Sequence, residues 1–309
     1  MVRRLSVNRE ELGLILEDVY RYLGITRQGQ AQRLRSRQEE AALMRSVESQ
    51  VVRYRQDKDR RAGSRSLYYN LDIKGQFDLG VTKFEQLMSQ YGLTLAPLRV
   101  RVVTTKSVLQ SWNYDNLLNG LTINDINQVV VGDLTYVAIG RDCFYLFCLT
   151  DVYSARLVGI GTSNRMRAED AKQASDAWVQ LRGKEQLVGC IHHTDGGSQY
   201  FSELYLTQLN DLAIRISVAQ NCLQNGFAEQ RNGLIKHHLI PTTGIQGLDS
   251  FRAQMQEIDY FYNYERKQQA LGWRSPVEFE NYIQSLAPEQ RPIKTLHDFG
   301  QTSKSDMGF

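Results

Sequence analysis

The sequence predicts an α/β fold: a mixed five-stranded sheet flanked by helices, preceded by a helical N-terminal region. Two observations carry this. Apolar residues recur at helical spacing through roughly the first third of the chain. From Ile126 the pattern changes to short β-branched runs, the first three following one another directly and the later ones separated by helical stretches.

In the first third, Leu12, Ile15, Leu16, Val19 and Leu23 recur with a helical period. Gly24 is a left-handed stop, and Thr26 can cap a second helix over Arg27 to Arg35. This outline fits a helix-turn-helix unit and a plain helical hairpin equally. A further amphipathic helix follows in "SRQEEAALMRSVESQVVRYRQD", and Gly63 breaks the pattern. "GVTKFEQLMSQYGL" repeats the logic, with Thr82 as cap and Gly92 as stop. "RVRVVTTKSVLQSWNYDNLL" lacks periodicity and reads as a linker.

In the core, "NQVVVGDLTYVAI", "CFYLFCLTDV" and "ARLVGIGTS" are three strands with tight connections, an antiparallel meander. "RAEDAKQASDAWVQLRG" is helical, with Ala171, Ala174, Ala177, Trp178 and Leu181 on related faces. "EQLVGCIHHT" is a fourth strand, parallel because a helix precedes it. Then come helix "SELYLTQLNDL", strand "AIRISVA", helix "NGFAEQRNGLIKHHLI" stopped by Pro241, and closing helix "DSFRAQMQEIDYFYNYE". This order is that of an RNase H-like sheet. The expected boundaries are 1–60 for a basic helical segment, 61–123 for a helical region and linker, 124–281 for the core and 282–309 for a tail.

A hydrophobic content of 42% with 23% charged residues is ordinary for a globular protein. No stretch of about 18 apolar residues suggests a membrane span, and "MVRRLSVNREELG" lacks the apolar core of a signal peptide. Cys143, Cys148, Cys190 and Cys222 have no CxxC spacing, which argues against a zinc site or a disulfide framework. A reduced cytoplasm fits, and the resemblance described below implies a bacterial, nucleoid-associated one. The net charge of +3 divides unevenly: residues 1–106 carry +8 and the remainder −5. A basic arm on an acidic core suggests a polyanion partner, with Arg27, Arg60, Arg61 and Arg65 as candidate phosphate contacts.

Three carboxylates stand out. Asp133 lies mid-strand between residues that look buried, where an unpaired charge is costly; its bland reading is a hydrogen-bonded structural aspartate. Asp195 ends the fourth strand ahead of Gly196 and Gly197, and alone would be a turn residue. Glu229 follows Asn225, a plausible cap, and alone would be a solvated helix glutamate. In an RNase H-like order the first and fourth strands are neighbours, and the helix after the fifth strand reaches the same end. Three bland readings would then have to coincide in one place. Like charges so gathered need a cation or a proton. Two Mg²⁺ or Mn²⁺ ions would answer with oxygen ligands and suit phosphodiester chemistry.

"GDLTYV", "HHTDGGSQYFS", "NGFAEQRNGLIK" and "FYNYERKQQALGWRSPVEFE" resemble the motifs of DDE transposases with a retroviral-integrase-like core, in particular the B-frame product of bacterial IS-three-type insertion sequences. "LGITRQGQAQRLR" and "SRSLYYNL" resemble that group's N-terminal region. The resemblance implies DNA strand cleavage and strand transfer, with Asp133, Asp195 and Glu229 as the metal-binding triad. It implies double-stranded DNA, both element ends and target, as substrate, and a homo-oligomer on DNA. An upstream-frame helix-turn-helix protein, separate or fused, would complete it. Lys236 matches the basic position seven residues after the glutamate, about two helical turns on, with Asn232 bordering the same face. Arg231 and Arg266 join them as candidate DNA contacts. The chain departs from the pattern in three places. Only 33 residues separate Asp195 from Glu229, two fewer than is usual in the group; Gln224 replaces an Asp; and Gln268 stands where His is usual. A DNA-binding relic without turnover and a metal-dependent nuclease on the same fold stay open.

Overall fold

The computed structural model describes residues 16–97, 114–219 and 222–297. Leu12 and Ile15, most of the linker and the end of the tail lie outside the described residues.

The N-terminal part is helical: α1 (Leu16–Tyr22), α2 (Arg27–Asp57), α3 (Ser64–Asn70), α4 (Ile73–Phe77) and α5 (Val81–Gln90). Gly24 is left-handed, with φ +64°, and Thr26 caps α2 by accepting from the Gly29 amide at 3.0 Å. The separate helix expected over Arg27–Arg35 is instead the start of one 31-residue helix. Neither Gly nor Pro falls between Arg33 and Asp57 to stop it. The described residues thus show a helix, a turn at Gly24 and a second helix that runs on well beyond the expected Arg35. Thr82 does not cap α5; it sits one residue inside, and Gly80 occupies the cap without a side-chain bond. Met44, Val47 and Val51, one stripe of α2, pack with Leu67, Ile73, Phe84 and Leu87.

The core sheet contains β2 (Val129–Ile139), β3 (Asp142–Asp151), β4 (Leu157–Ser163), β5 (Ile191–Thr194) and β6 (Arg215–Val218). Its order is β4-β3-β2-β5-β6. The β2–β3 and β3–β4 pairs are antiparallel, and β5 pairs parallel with both β2 and β6. This is the RNase H-like arrangement. Helices α6 (Ala168–Arg182) and α7 (Glu203–Asp211) cover one face, where Val130, Phe147 and Leu149 pack with Trp178 and Tyr205. Helices α8 (Gly226–Leu234) and α9 (Gly247–Tyr260) cover the other, where Val137, Phe144 and Leu146 meet Ile235, Phe251 and Met255. A Cβ on Gly159 would lie 2.1 Å from the Ala174 carbonyl oxygen, so α6 rests directly on β4. Leu181, expected on the packed face of α6, is exposed.

The fourth strand is shorter than its apolar run. Lys184–Leu187 form a 3₁₀ turn and Gly189 has φ +80°, so β5 begins only at Ile191. Two further elements were not expected: α10 (Pro276–Gln284), opened by a capping box on Ser275 and Glu278, and the pair β1 (Thr122–Ile123) with β7 (Lys294–Thr295). No described helix is long and apolar enough to cross a membrane.

Candidate active site

The site arises from strand register. In the parallel β2–β5 ladder Gly132 lies opposite Thr194. The next residue on each chain is Asp133 and Asp195. Asp133 continues inside β2, while Asp195 is the first residue beyond β5. There the backbone turns: Gly196 takes φ +81°, and the Gly197 amide donates to Asp195 Oδ1 at 3.1 Å. Asp195 thus serves as a turn residue and still stands beside Asp133. Gly132 allows this packing. A Cβ there would meet His192 Cε1 at 2.9 Å and Leu149 Cδ2 at 3.0 Å.

Glu229 comes from α8, behind a 3₁₀ turn at Cys222–Asn225. Asn225 is buried and makes no capping bond; its Nδ2 donates to the Gly132 carbonyl at 3.3 Å. Asn232 is buried and donates to Asp133 Oδ2 at 2.7 Å.

The electrostatics set the three carboxyls apart. Asp133 is pushed up to about 7, first by burial and then by the charges of Asp195 and Glu229, against the opposing bond from Asn232. Loss of water raises Asp195, although its side chain still reaches solvent. Glu229, exposed on its helix, is raised by partial loss of water and by Asp195. Among the described residues, the charges that act on Asp133 and Glu229 are carboxylates. Hard carboxylate oxygens carrying like charge fit a divalent cation of the Mg²⁺ or Mn²⁺ type. Among the described residues, however, no three His, Cys, Asp or Glu side chains are drawn together closely enough to hold an ion. The fit is therefore one of charge and donor type.

The other candidates scatter. Lys236 lies on a π-helical turn, Ile235–Leu239, with its ammonium 4.3 Å from the centre of the Tyr136 ring. Three residues thought to face DNA are buried and engaged within the protein. Asn232 holds Asp133, Arg231 donates to Gln268 Oε1 at 2.9 Å, and Arg266 donates to Asp59 Oδ2 at 3.2 Å. A buried guanidinium or amide takes its partners from inside, and these three do so. Arg60 donates to the carbonyls of His237 and Lys236, and Arg61 to that of Ala96. Arg65 forms a two-pronged pair with Glu85, and Arg27 is exposed at the start of α2.

Sequence reasoning passed over Gly132, Asn225 as a strand contact, and His192. His192 is fully buried, bonded through its ring nitrogens to the Val130 carbonyl at 3.2 Å and the Tyr205 hydroxyl at 2.9 Å. A glycine directly before a mid-strand aspartate was the available signal for the first of these.

Residues 124–221 and 210–276 each match an integrase core domain family. The insertion element IS600 uncharacterized 31 kDa protein of Shigella sonnei is 33% identical over 165 residues, covering 52% of this chain and 60% of that protein. The transposase for insertion sequence element IS904 of Lactococcus lactis is 32% identical over 160 residues, covering 50% and 62%. The match thus spans about three-fifths of the length of these relatives. A structure of the HTLV-2 integrase catalytic core domain in complex with magnesium is 15% identical, covering 53% of this chain and 99% of that one, with a TM-score of 0.39.

Proposed function

We propose a function from one premise: this chain belongs to the insertion-sequence transposases that carry an integrase core, a DDE family of the IS-three type. It is a phosphodiester-transfer enzyme that cleaves DNA strands at the ends of a mobile element and joins the freed 3′ end to target DNA. Asp133, Asp195 and Glu229 are its active-site carboxylates. The observation that carries this is the register of β2 and β5, which sets Asp133 in the middle of a core strand beside Asp195, where burial and the charges of Asp195 and Glu229 push its carboxyl up to about 7. A fold bears such a cost where function requires it.

Asp133, Asp195 and Glu229 would hold Mg²⁺ or Mn²⁺, in two ions, which when bound activate the attacking oxygen and stabilise the leaving one. The protein's own part is placement. Strand β2 fixes Asp133, the Asp-Gly-Gly turn presents Asp195 at the open end of β5, and α8 carries Glu229 to the same end. Lys236, on the π-helical turn that follows that helix, would meet a backbone phosphate. Double-stranded DNA is the substrate, and the working form is a homo-oligomer on it.

The test is nicking of a duplex that carries the element's end, with Mn²⁺, by the wild type and by Glu229→Gln. Nicking by the wild type alone is expected. Equal and negligible nicking by both, with DNA binding intact and the correct end supplied, would leave a DNA-binding relic.

A further inference from the structure

Asn225 and Asn232 flank Glu229 at positions i−4 and i+3, Asn225 ending the 3₁₀ turn that leads into α8 and Asn232 lying within that helix. Both asparagines are buried, and both reach the same place on β2: Asn225 Nδ2 bonds the Gly132 carbonyl and Asn232 Nδ2 bonds the Asp133 carboxylate. Each uses its donor on the strand and leaves its amide oxygen buried without a partner. Apolar side chains would fill the same space without that cost, so packing alone does not account for the pair.

We infer that Asn225 and Asn232 form a two-point clamp that sets the rotation and register of α8 against β2, and so fixes the Glu229 carboxylate relative to Asp133 for divalent-ion binding. A single contact would let the helix pivot. Two contacts, one from the turn that leads into the helix and one from within it, hold it against both rotation and sliding. The stakes are geometric: a slip of one residue turns a helix face by about 100°, enough to swing Glu229 away from the strand end. The asparagines are positioning residues; they act through Asp133 and Glu229. The inference rests on the metal-binding reading above.

The test is Mn²⁺ titration of the full chain, following free Mn²⁺ by electron paramagnetic resonance, with circular dichroism confirming that each variant is folded at the assay temperature. The variants are Asn232→Ala, Asn232→Leu, which fills the space without a donor, Asn225→Ala and Asp133→Asn. Supporting partners of metal ligands typically contribute about 10- to 100-fold in affinity. The expected result is a Kd raised about tenfold or more by either Asn232 variant, a smaller rise for Asn225→Ala, and no added effect of Asn232→Ala in the Asp133→Asn background. Folded variants that lose thermal stability while keeping the wild-type Kd would overturn the clamp alone. A wild type that takes up no Mn²⁺, or an Asp133→Asn variant that binds as tightly as the wild type, would overturn the metal reading and the clamp with it.

Discussion

Arg266 donates from Nε to Asp59 Oδ2 at 3.2 Å, tying the N-terminal helical region to a residue 207 positions further along the chain. Asp59 is fully buried, and its other oxygen meets His238 Nδ1 at 3.2 Å. Removing one member of such a pair strands the other charge. Asp59→Ala should therefore destabilise the protein by about 3–5 kcal/mol, measured by urea unfolding, while Asp59→Leu with Arg266→Met should recover much of it. Burial alone would raise the Asp59 carboxyl, but the bond from His238 and the charge of Arg266 outweigh it and hold it below the usual range. Its contribution is thus complete above about pH 4, the ordinary aspartate value, and is lost as pH falls through the lower folded value. In the alanine variant that acid-side loss should be smaller.

Gly132→Ala tests the crowding beneath the site. Its Cβ would press on His192 Cε1, Leu149 Cδ2 and Thr194 Cγ2, at 2.9, 3.0 and 3.3 Å. Overpacking of this kind costs about 1–3 kcal/mol, and the strand would move where Asp133 sits. The expected outcome is a modest loss in thermal midpoint with a disproportionate loss of nicking. Unchanged nicking at an unchanged midpoint would mean that the neighbours yield freely.

Much of this was legible in the sequence, for identifiable reasons. The meander was readable because β2, β3 and β4 are long β-branched runs joined by short turns, and pattern alone separates them from helices. Asp133 and Asp195 could be paired because the order of strands and helices is that of an RNase H-like sheet, in which the first and fourth strands are neighbours, and the crossover helix makes the pair parallel. Periodicity said nothing about the length of α2: "RQGQAQRLRSRQEE" has no buried residue in the described fold, so no apolar stripe marked the join. β5 was overread because "LVGCI" is apolar, while Gly189, with its positive φ, delays the strand. Asn225 looked like a cap because Asn before a helix usually is one. The preceding 3₁₀ turn frees its side chain for a contact 93 residues away in sequence. Arg231 and Arg266 were named as DNA contacts with the family motifs, and nothing local in the sequence marks their partners Gln268 and Asp59, which lie 37 and 207 residues away.

His192 gives a second pH window, distinct from that of Asp59. Burial, with His193 adding to it, lowers the His192 imidazole from 6.5 to about 4, against the bond to Val130. In the fold it stays neutral down to about pH 4, whereas the unfolded chain takes up the proton near 6.5. Stability from this group is therefore complete above 6.5 and drains as pH falls towards 4. The span corresponds to about 3 kcal/mol. His192→Gln should be less stable than the wild type at pH 7.5, and the gap should close by about that amount at pH 4. Urea midpoints at the two pH values measure it; a constant gap would mean that the ring is already protonated in the fold.

The exposed half of α2 gives the last prediction. The first buried residue of that helix is Met44, and Arg27, Arg33, Arg35 and Arg37 all lie before it, exposed. Unlike Arg231 and Arg266, these four are displayed to solvent, and unlike Arg65 they are not held by Glu85. If DNA is the substrate, as proposed, they are the natural source of sequence-independent affinity on the basic side of the chain. Each phosphate contact adds about 0.9 to the slope of log affinity against log salt. Replacing all four with glutamine should therefore flatten that slope by about 3 to 4, with little effect on folding because all four are exposed. Replacing Arg65 alone should change the slope by less than one contact, since its charge is already shared with Glu85. Fluorescence anisotropy of a random-sequence duplex across a salt series measures both. A slope that survives the fourfold change would move the non-specific contacts to the core, with Lys236 the first residue to test there.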